Sequence, residues 1–251
     1  MKYAPFNNSV VKAFRIIELI ENEMQGIGLK DISERLNYNK TTTLRFLTTL
    51  ENLGVIRKRD GKYFLGLKLF ELGLKVPFKM IVVDKVHNIL EKLVNEINET
   101  VNFGVLLEGK VLYIDKIESK RSLQINTHIG DKISLHCTAL GKSIFSILPE
   151  NQVDSILEKI RLEKKTDNTI VKKEELLEEI KKTKERGYSI DNEEFEEGLR
   201  CVAVPIKLEK IGFYGAISVS GPVTRFTENA ISELAKKLKK IKEKILKEVQ
   251  M

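Results

Sequence analysis

Five acidic side chains fall within one short stretch of this sequence, just before a glycine and an apolar segment. They are Asp191, Glu193, Glu194, Glu196 and Glu197. Two carboxyl groups can act as general acid and general base only when their surroundings give them different pKa values. Spacing in the sequence alone does not establish such a difference. A solvated loop fits the same residues, so we assign no catalytic residue and expect the protein not to be an enzyme.

The thiols and imidazoles do not form a reactive or metal-binding pattern either. His136 and Cys137 are adjacent, and adjacent residues of a strand point to opposite faces, which argues against a Cys–His nucleophile. The other candidates are Cys201, His87 and His128, and no spacing typical of zinc ligands occurs. Glycine-rich phosphate loops are also absent. We therefore expect no metal and no cofactor, and two widely spaced cysteines favour a reducing cytoplasm.

Residues 130–148, GDKISLHCTALGKSIFSIL, suggest anion binding instead. A strand is predicted to end in a turn of small residues that opens a helix, and the first amides of a helix have no intrahelical partner. Thr138, Ala139 and Leu140 occupy that position, where the amides and the helix dipole can hold a carboxylate. On this segment alone, an ordinary Thr138 cap without a ligand is the favoured explanation.

A different chemistry is predicted near the N-terminus, where residues 29–66 read as helix, turn, helix and tight hairpin. Asn39 is positioned to cap the second helix, and Gly54 ends it. Three apolar stripes at helical spacing would build a three-helix core. Their members are Val10, Ala13, Phe14, Ile17 and Ile20, then Leu29, Ile32 and Leu36, and then Phe46, Leu47, Leu50 and Leu53.

Polar side chains and one leucine occupy the face of the second helix that lies opposite its apolar stripe. Threonines can bond to phosphates or bases, an arginine can bind a guanine edge, and an exposed leucine suits a thymine methyl group. A packing surface is the alternative. The candidate DNA-binding residues on this helix are Lys40, Thr41, Thr42, Leu44, Arg45 and Thr48.

The hairpin that follows is predicted to be a basic wing. Asp60-Gly61 is a strong two-residue hairpin signal, and Arg57, Arg59 and Lys62 flank it, where they can neutralise backbone phosphates. Of the formal net charge of +7, most falls in this region, because residues 1–75 hold 13 Lys+Arg against 8 Asp+Glu while residues 76–251 hold 30 against 28. The charge distribution therefore supports a DNA-binding segment.

The remaining chain alternates short strands and helices. We place a domain boundary before Pro77. The DNA-binding domain then spans 1–75, a linker and first helix span 76–98, and an α+β domain spans 99–251. A strand hairpin is expected over 101–117, and single strands are expected over 123–127, 201–206 and 213–220. One further strand is expected to end near Leu135. Helices are expected over 81–98, 139–148, 152–160 and 173–186, and after a Thr227 cap.

Neither a signal peptide nor a run of 18 apolar residues is present, so we expect a soluble cytoplasmic protein without a membrane partner. The length of 251 residues suffices for two domains with their own cores.

Taken together, the sequence resembles the IclR family of bacterial transcriptional regulators over essentially its whole length. Three segments carry the resemblance: TTTLRFLTTLENLGVIRK, LHCTALGKSIFSIL, and RGYSIDNEEFEEGLRCVAVPI followed by AISVSGPVTRFT. The resemblance implies a winged helix-turn-helix, a helical linker and a GAF-like α+β effector domain. It also implies binding to a double-stranded DNA operator as a homodimer or homotetramer. We expect the protein to act as a repressor.

The resemblance further implies a pocket for a small organic effector, such as a sugar acid, a keto acid or an aromatic compound. By similarity its lining would be Ile125, Ala139, Leu140, Asp191, Leu199 and Cys201. Core packing is the alternative role for the aliphatic members. Two other functions stay open at this point: an enzyme acting on small acids with an accessory DNA-binding domain, and a DNA-architectural protein without a ligand.

Overall fold

The structure is a computed structural model that describes residues 6–76, 78, 82–121, 127–208 and 212–250. The chain divides into two compact units, residues 1–80 and 81–251. The strand expected at 123–127 lies outside the described residues except for Thr127, and Ile125 lies outside them too.

The first unit is a winged helix-turn-helix, as the sequence predicts. Its small antiparallel sheet has the order β1-β3-β2. Its elements are α1 (Asn8–Glu21), β1 (Ile27–Gly28), α2 (Leu29–Leu36), α3 (Lys40–Asn52), β2 (Ile56–Arg59), β3 (Lys62–Leu65) and α4 (Leu67–Leu74).

Three details of this unit differ from the prediction. In α1, Ile16 and Ile20 are buried, whereas Val10 is 53% and Phe14 60% exposed, because the face that packs on the core is rotated away from the expected stripe. Leu53 is 61% exposed, since α3 ends at Asn52 and Leu53 lies outside the last helical turn. Residues 67–74 form α4, a helix that is not among the elements predicted from the sequence.

The second unit is an α+β domain built on a six-stranded antiparallel sheet with the order β6-β5-β4-β9-β8-β7. Its strands are β4 (Thr100–Leu107), β5 (Lys110–Ile117), β6 (Lys132–Ile133), β7 (Ser189–Asn192), β8 (Leu199–Leu208) and β9 (Phe213–Pro222). Its helices are α5 (Asp84–Ile97), α6 (Ala139–Phe145), α7 (Glu150–Leu157), α8 (Lys173–Arg186) and α9 (Glu228–Gln250).

Most predicted elements of this unit are confirmed, and their ends differ by a few residues. The strand expected to end near Leu135 ends at Ile133, and the helix expected to continue to Leu148 ends at Phe145. The acidic stretch is predicted to be a loop, yet its first residue, Asp191, lies in β7 (Ser189–Asn192) at the sheet edge. The residues on the buried face of β7, Ser189 and Asp191, are polar, so the sequence shows no apolar–polar alternation there.

Helix α6 packs against the sheet so closely that every one of its residues is buried. Gly141 lets the segment before α6 pass close to the helix, because a Cβ atom there would lie 2.1 Å from the carbonyl oxygen of Leu135. Its neighbours Leu140 and Ile144 join Val111, Ala203 and other sheet residues in one apolar core. The beginning of α6 is thereby held against the sheet.

No helix in the described part of the chain combines the length and apolar character that crossing a bilayer requires.

Candidate nucleic-acid interface and ligand pocket

Helix α3 is held by a capped N-terminus and a buried apolar face. The Asn39 side-chain oxygen accepts a hydrogen bond from the Thr41 amide at 2.8 Å, as predicted. Leu47 and Leu50 are buried, and Thr43 is buried with its hydroxyl donating to the Asn39 carbonyl oxygen at 3.1 Å. This anchoring fixes which side chains α3 presents outward.

Five of the six predicted residues of α3 are exposed. These are Lys40, Thr41, Leu44, Arg45 and Thr48. Thr42 is half-buried and lines a cleft of about 310 Å³ with Lys12 of α1 and Arg45. The structure thus places one guanidinium, one ammonium, two hydroxyls and one leucine on a single exposed face.

The wing is a two-residue hairpin whose tip requires left-handed backbone. Asp60 and Gly61 have φ angles of 51° and 75°, and Arg59 pairs with Lys62 across the strands. This is the type I′ geometry that an Asp-Gly pair favours. The tip therefore presents the two cations side by side.

The cations of the wing are exposed, and nearby groups orient them. Arg57 stacks on Phe64 at 5.6 Å from the ring centroid, and Lys62 Nζ donates to the Gln25 carbonyl oxygen at 3.3 Å. Arg59 Nε lies 3.3 Å from Asp60 Oδ2, but its side chain remains 74% exposed. The wing can therefore offer positive charge to a polyanion without first breaking a buried contact.

In the second unit, all five described residues of the predicted effector pocket line one small cavity of about 20 Å³: Ala139, Leu140, Asp191, Leu199 and Cys201. Strand pairing is one reason, since Asp191 of β7 lies directly opposite Cys201 of β8. Helix α6 covers the same face of the sheet. Residues up to 62 positions apart in sequence thus share one small space.

Asp191 is the charged group of this cavity, and it is 2% exposed. Its Oδ1 accepts hydrogen bonds from the amides of Glu194 at 2.8 Å and Phe195 at 3.4 Å. Burial, and then the charge of Glu194, raise the pKa of Asp191 to about 7, against the opposing effect of Lys142. Near neutral pH this carboxyl group is therefore present in both protonation states.

A buried ion pair lies beside Asp191. Lys142 of α6 donates to Glu194 Oε1, and both side chains are almost wholly buried. Burial raises the pKa of Glu194, while Lys142 acts against that change. Removing either partner would leave an uncompensated buried charge, which costs roughly 3–5 kcal/mol.

Thr138 caps α6 in the ordinary way. Its Oγ1 accepts a hydrogen bond from the Gly141 amide at 3.2 Å and donates one to the Ser134 carbonyl oxygen at 2.8 Å. The Thr138 cap is thus present in the structure. Thr138, Ala139 and Leu140 form one wall of the cavity.

Sequence reasoning missed the hydroxyl groups of the cavity. Ser218 and Ser220 of β9 and Tyr113 of β5 also line it, and the Asn102 amide donates to Ser220 Oγ at 3.1 Å and Ser218 Oγ at 3.4 Å. The alternation of Ser218 and Ser220 is the period of a strand and places both on one face. Only the strand order shows that this face meets Asp191.

The geometry does not favour the other chemistries considered. Burial raises the pKa of Cys137 to about 12 and that of Cys201 well above its usual value, so neither thiol is a thiolate at neutral pH. His136 Nε2 lies 3.1 Å from the Glu163 carbonyl oxygen, a backbone contact. Among the described residues, no group of three or more His, Cys, Asp or Glu side chains could hold a metal ion.

A basic winged helix-turn-helix and a separate α+β unit with a polar cavity define a DNA-binding regulator that carries its own ligand-binding domain. The family models agree: residues 9–60 match the IclR helix-turn-helix domain, and residues 76–247 match the C-terminal domain of the bacterial transcriptional regulator IclR. The chain belongs to the IclR family and is a transcriptional regulator, not an enzyme.

Individual relatives are similar over most of their length. The chain is 36% identical to the HTH-type transcriptional regulator KdgR of Escherichia coli over 229 residues, covering 90% of this chain and 86% of that protein. It is 31% identical to the transcriptional repressor IclR of Escherichia coli, covering 90% and 84%. An IclR homolog from Microbacterium hydrocarbonoxydans, solved in complex with 4-hydroxybenzoate, has the same fold, with a TM-score of 0.81 at 19% identity and coverage of 96% and 99%.

Proposed function

We propose that this protein is a repressor whose binding to a DNA operator is modulated by a small hydroxylated organic acid held in the Asp191 cavity. The observation that carries the effector part is the composition of that cavity. Asp191, Cys201, Ser218, Ser220 and Tyr113 surround it with polar groups, while Ala139, Leu140 and Leu199 supply its apolar wall.

The polar groups of the cavity suit a ligand that has both hydroxyl and carboxyl groups. Serine and tyrosine hydroxyls donate and accept, so they can pair with ligand hydroxyls. Asp191 need not repel a carboxylate, because its pKa of about 7 lets it carry a proton that it can donate to the ligand. A protonated Asp191 therefore supports a sugar acid or keto acid over an uncharged aromatic compound.

The cavity must expand before any such ligand can enter. Its volume of about 20 Å³ has room for one water molecule, whereas ligand pockets are typically about 300 Å³ or more. A ligand that binds only the expanded form shifts the population towards that form. We propose that this shift is the signal that changes operator affinity.

A thermal-shift screen of sugar acids, keto acids and aromatic acids tests the proposed effector. We expect one class of acid to raise the melting temperature, because a ligand that binds only the folded state stabilises it. The increase should disappear in Asp191→Ala and shrink in Asp191→Asn, which keeps an oxygen that can accept from the Glu194 amide.

Asp154→Ala is the control for this screen, since Asp154 is exposed on α7 and does not line the cavity. An increase in melting temperature that is unchanged in both Asp191 variants would mean that the effector binds elsewhere.

For the winged helix-turn-helix unit, we propose that four residues of α3 contact bases in the major groove: Thr41, Leu44, Arg45 and Thr48. Thr42 is at best peripheral because it faces α1. Lys40, Arg57, Arg59 and Lys62 would bind backbone phosphates, which set affinity more than sequence preference. Their exposure on one helix face and one hairpin supports this division.

We also propose a homodimer as the minimal DNA-binding form. Phe70 is 65% exposed on α4, and Leu67, Leu72 and Val76 near it are exposed as well. Val10 and Phe14 add apolar surface on α1. Apolar side chains concentrated in this way mark an interaction site, and paired helix-turn-helix units read two half-sites of an operator.

A further inference from the structure

A second cavity in the second unit is separate from the effector pocket and larger than it. It is a groove of about 580 Å³ between the β4–β5 turn, the end of α7 and residues 134–136, and we call it the β4–β5 groove. Its volume is typical of small-molecule sites. Its lining residues are Glu108, Gly109, Lys110, Ser134, Leu135, His136, Ser155, Ile156, Lys159, Ile160, Arg161 and Glu163.

Charge in this groove is not balanced locally. Glu108 Oε2 binds Lys132 Nζ at 3.1 Å, and Glu163 Oε2 binds Lys165 Nζ at 3.1 Å, so both carboxylates are engaged by lysines that do not line the groove. Within the described part of the chain, the three lining cations Lys110, Lys159 and Arg161 form no ion pair.

Two contacts give the groove a defined shape. A Cβ atom at Gly109 would lie 3.8 Å from Ile160 and 3.9 Å from Ile156, so the β4–β5 turn packs against the end of α7. The buried His136 ring joins the other two walls, because its Nε2 lies 3.1 Å from the Glu163 carbonyl oxygen. The cations are therefore arranged around a supported concave surface.

We infer that the β4–β5 groove binds a small, multiply charged oxyanion, either a phosphate ester or a polycarboxylate, through Lys110, Lys159 and Arg161. A guanidinium beside two ammonium groups suits oxygen-rich anions with more than one charge. Ser134 and Ser155 add hydroxyl groups for further hydrogen bonds.

Such a ligand would act on the effector pocket through the chain segment that the two cavities share. Ser134, Leu135 and His136 line the groove, while Thr138, Ala139 and Leu140 line the pocket. The Thr138 hydroxyl donates to the Ser134 carbonyl oxygen at 2.8 Å, which makes the segment one hydrogen-bonded unit. Binding in the groove stands alone, whereas its regulatory consequence rests on the proposed effector function.

Calorimetric titration of the full chain tests the binding step, with inorganic pyrophosphate and citrate as probes at constant ionic strength. We expect saturable binding that is roughly tenfold to a hundredfold weaker in Lys159→Gln/Arg161→Gln, because each lost contact is a charge-assisted hydrogen bond. The tighter of the two probes identifies a phosphate or a carboxylate ligand. Acetate, with one charge, should bind more weakly than either.

The matched control is Lys181→Gln/Lys240→Gln, which removes two positive charges from exposed positions outside the groove. Equal weakening in both double variants would show a general charge effect and overturn the inference. So would the absence of saturable binding of either probe.

A third variant separates this site from the effector pocket. Anion binding should persist in Asp191→Asn, and hydrogen exchange should show protection of residues 134–140 that is lost in Lys159→Gln/Arg161→Gln. Binding that is lost in Asp191→Asn but kept in the groove variant would place the anion in the effector pocket and overturn the groove assignment. Failure of the effector screen alone would leave the groove result intact.

Discussion

Asp191 combines three constraints in one side chain. It is buried, it accepts hydrogen bonds from two amides, and it lies near the Lys142–Glu194 pair. Burial favours the neutral acid, while the amides and Lys142 favour the carboxylate. The outcome is a group that titrates near neutral pH inside the proposed effector pocket, where protonation changes what the pocket can bind.

The stability of the protein should depend on this titration. The pKa of Asp191 rises from 3.8 to about 7 on folding, so the folded state holds a proton that the unfolded state has lost. The stabilising contribution is therefore complete below about pH 4 and is lost as the pH rises through about 7. We expect the free energy of unfolding in urea to fall between pH 5 and pH 8, and to fall less in Asp191→Asn.

The Asp191→Asn variant should keep part of the pH dependence of the free energy of unfolding, because burial also raises the pKa of Glu194. Equal slopes in the wild type and the variant would show that Asp191 does not titrate in this range.

Replacing Arg45 and replacing Arg59 should change DNA binding in different ways. Arg45→Ala removes a base contact from α3, so it should cost about 1–3 kcal/mol on the preferred operator and relax the preference at one base pair. Arg59→Ala removes a phosphate contact from the wing, so binding should weaken on all sequences and the salt slope should fall by about one. Fluorescence anisotropy with operator and scrambled duplexes at several salt concentrations distinguishes them.

A matching change in sequence preference for both arginine variants would contradict the division between a reading helix and a phosphate-binding wing.

Among the elements, α6 connects the core to the effector pocket. Its seven residues are all buried, and its first two residues line the cavity. Gly141 lies in close contact with the backbone of Leu135, so the position of the pocket wall depends on residue 141 having no side chain. A short helix can hold this position because the sheet, not helix propensity, stabilises it.

The same substitution at two helical glycines should have opposite effects. Gly141→Ala would place a Cβ atom 2.1 Å from the Leu135 carbonyl oxygen, so we expect a loss of about 1–3 kcal/mol or more. Gly73→Ala meets nothing within 4 Å in α4, so it should stabilise the first unit by about 0.5–1 kcal/mol. Thermal and urea unfolding of both variants measures the difference, and a neutral Gly141→Ala would contradict the close packing.

At the scale of the whole molecule, exposed apolar surface and positive charge occur together in residues 1–80. Most of the exposed apolar side chains on helices of this unit lie on α1 and α4, whereas the cations that we propose to bind DNA lie on α3 and the wing. This separation suits a unit that binds a second copy through one surface and DNA through another.

Phe70→Glu should lower the oligomeric state, because a charge at the centre of an apolar contact must be desolvated without a partner. We expect a smaller mass by size-exclusion chromatography with light scattering and weaker binding to a two-half-site operator. Ile129→Glu is the control, since Ile129 is 61% exposed in the second unit. An unchanged mass for a folded Phe70→Glu variant would refute the proposed interface.

Much of the fold was predictable because it depends on local signals. The Asn39 cap, the Asp60-Gly61 turn and the limits of α8 follow from residues within a few positions of each other. The missed features, α4 and β7, have weak local patterns. Helix α4 buries none of its residues, and β7 is a short edge strand in an acidic stretch.

The sequence by itself determined the order of most elements, the basic wing and the family membership, because capping, periodicity and motif spacing are properties of neighbouring residues. The tertiary structure alone decided which of Val10, Phe14 and Ile16 face the core, and that Ser218, Ser220 and Tyr113 meet Asp191. It also decided the pKa of Asp191 and the unbalanced charge of the β4–β5 groove. These depend on strand order and on burial, which bring together groups that are distant in sequence and remove them from water.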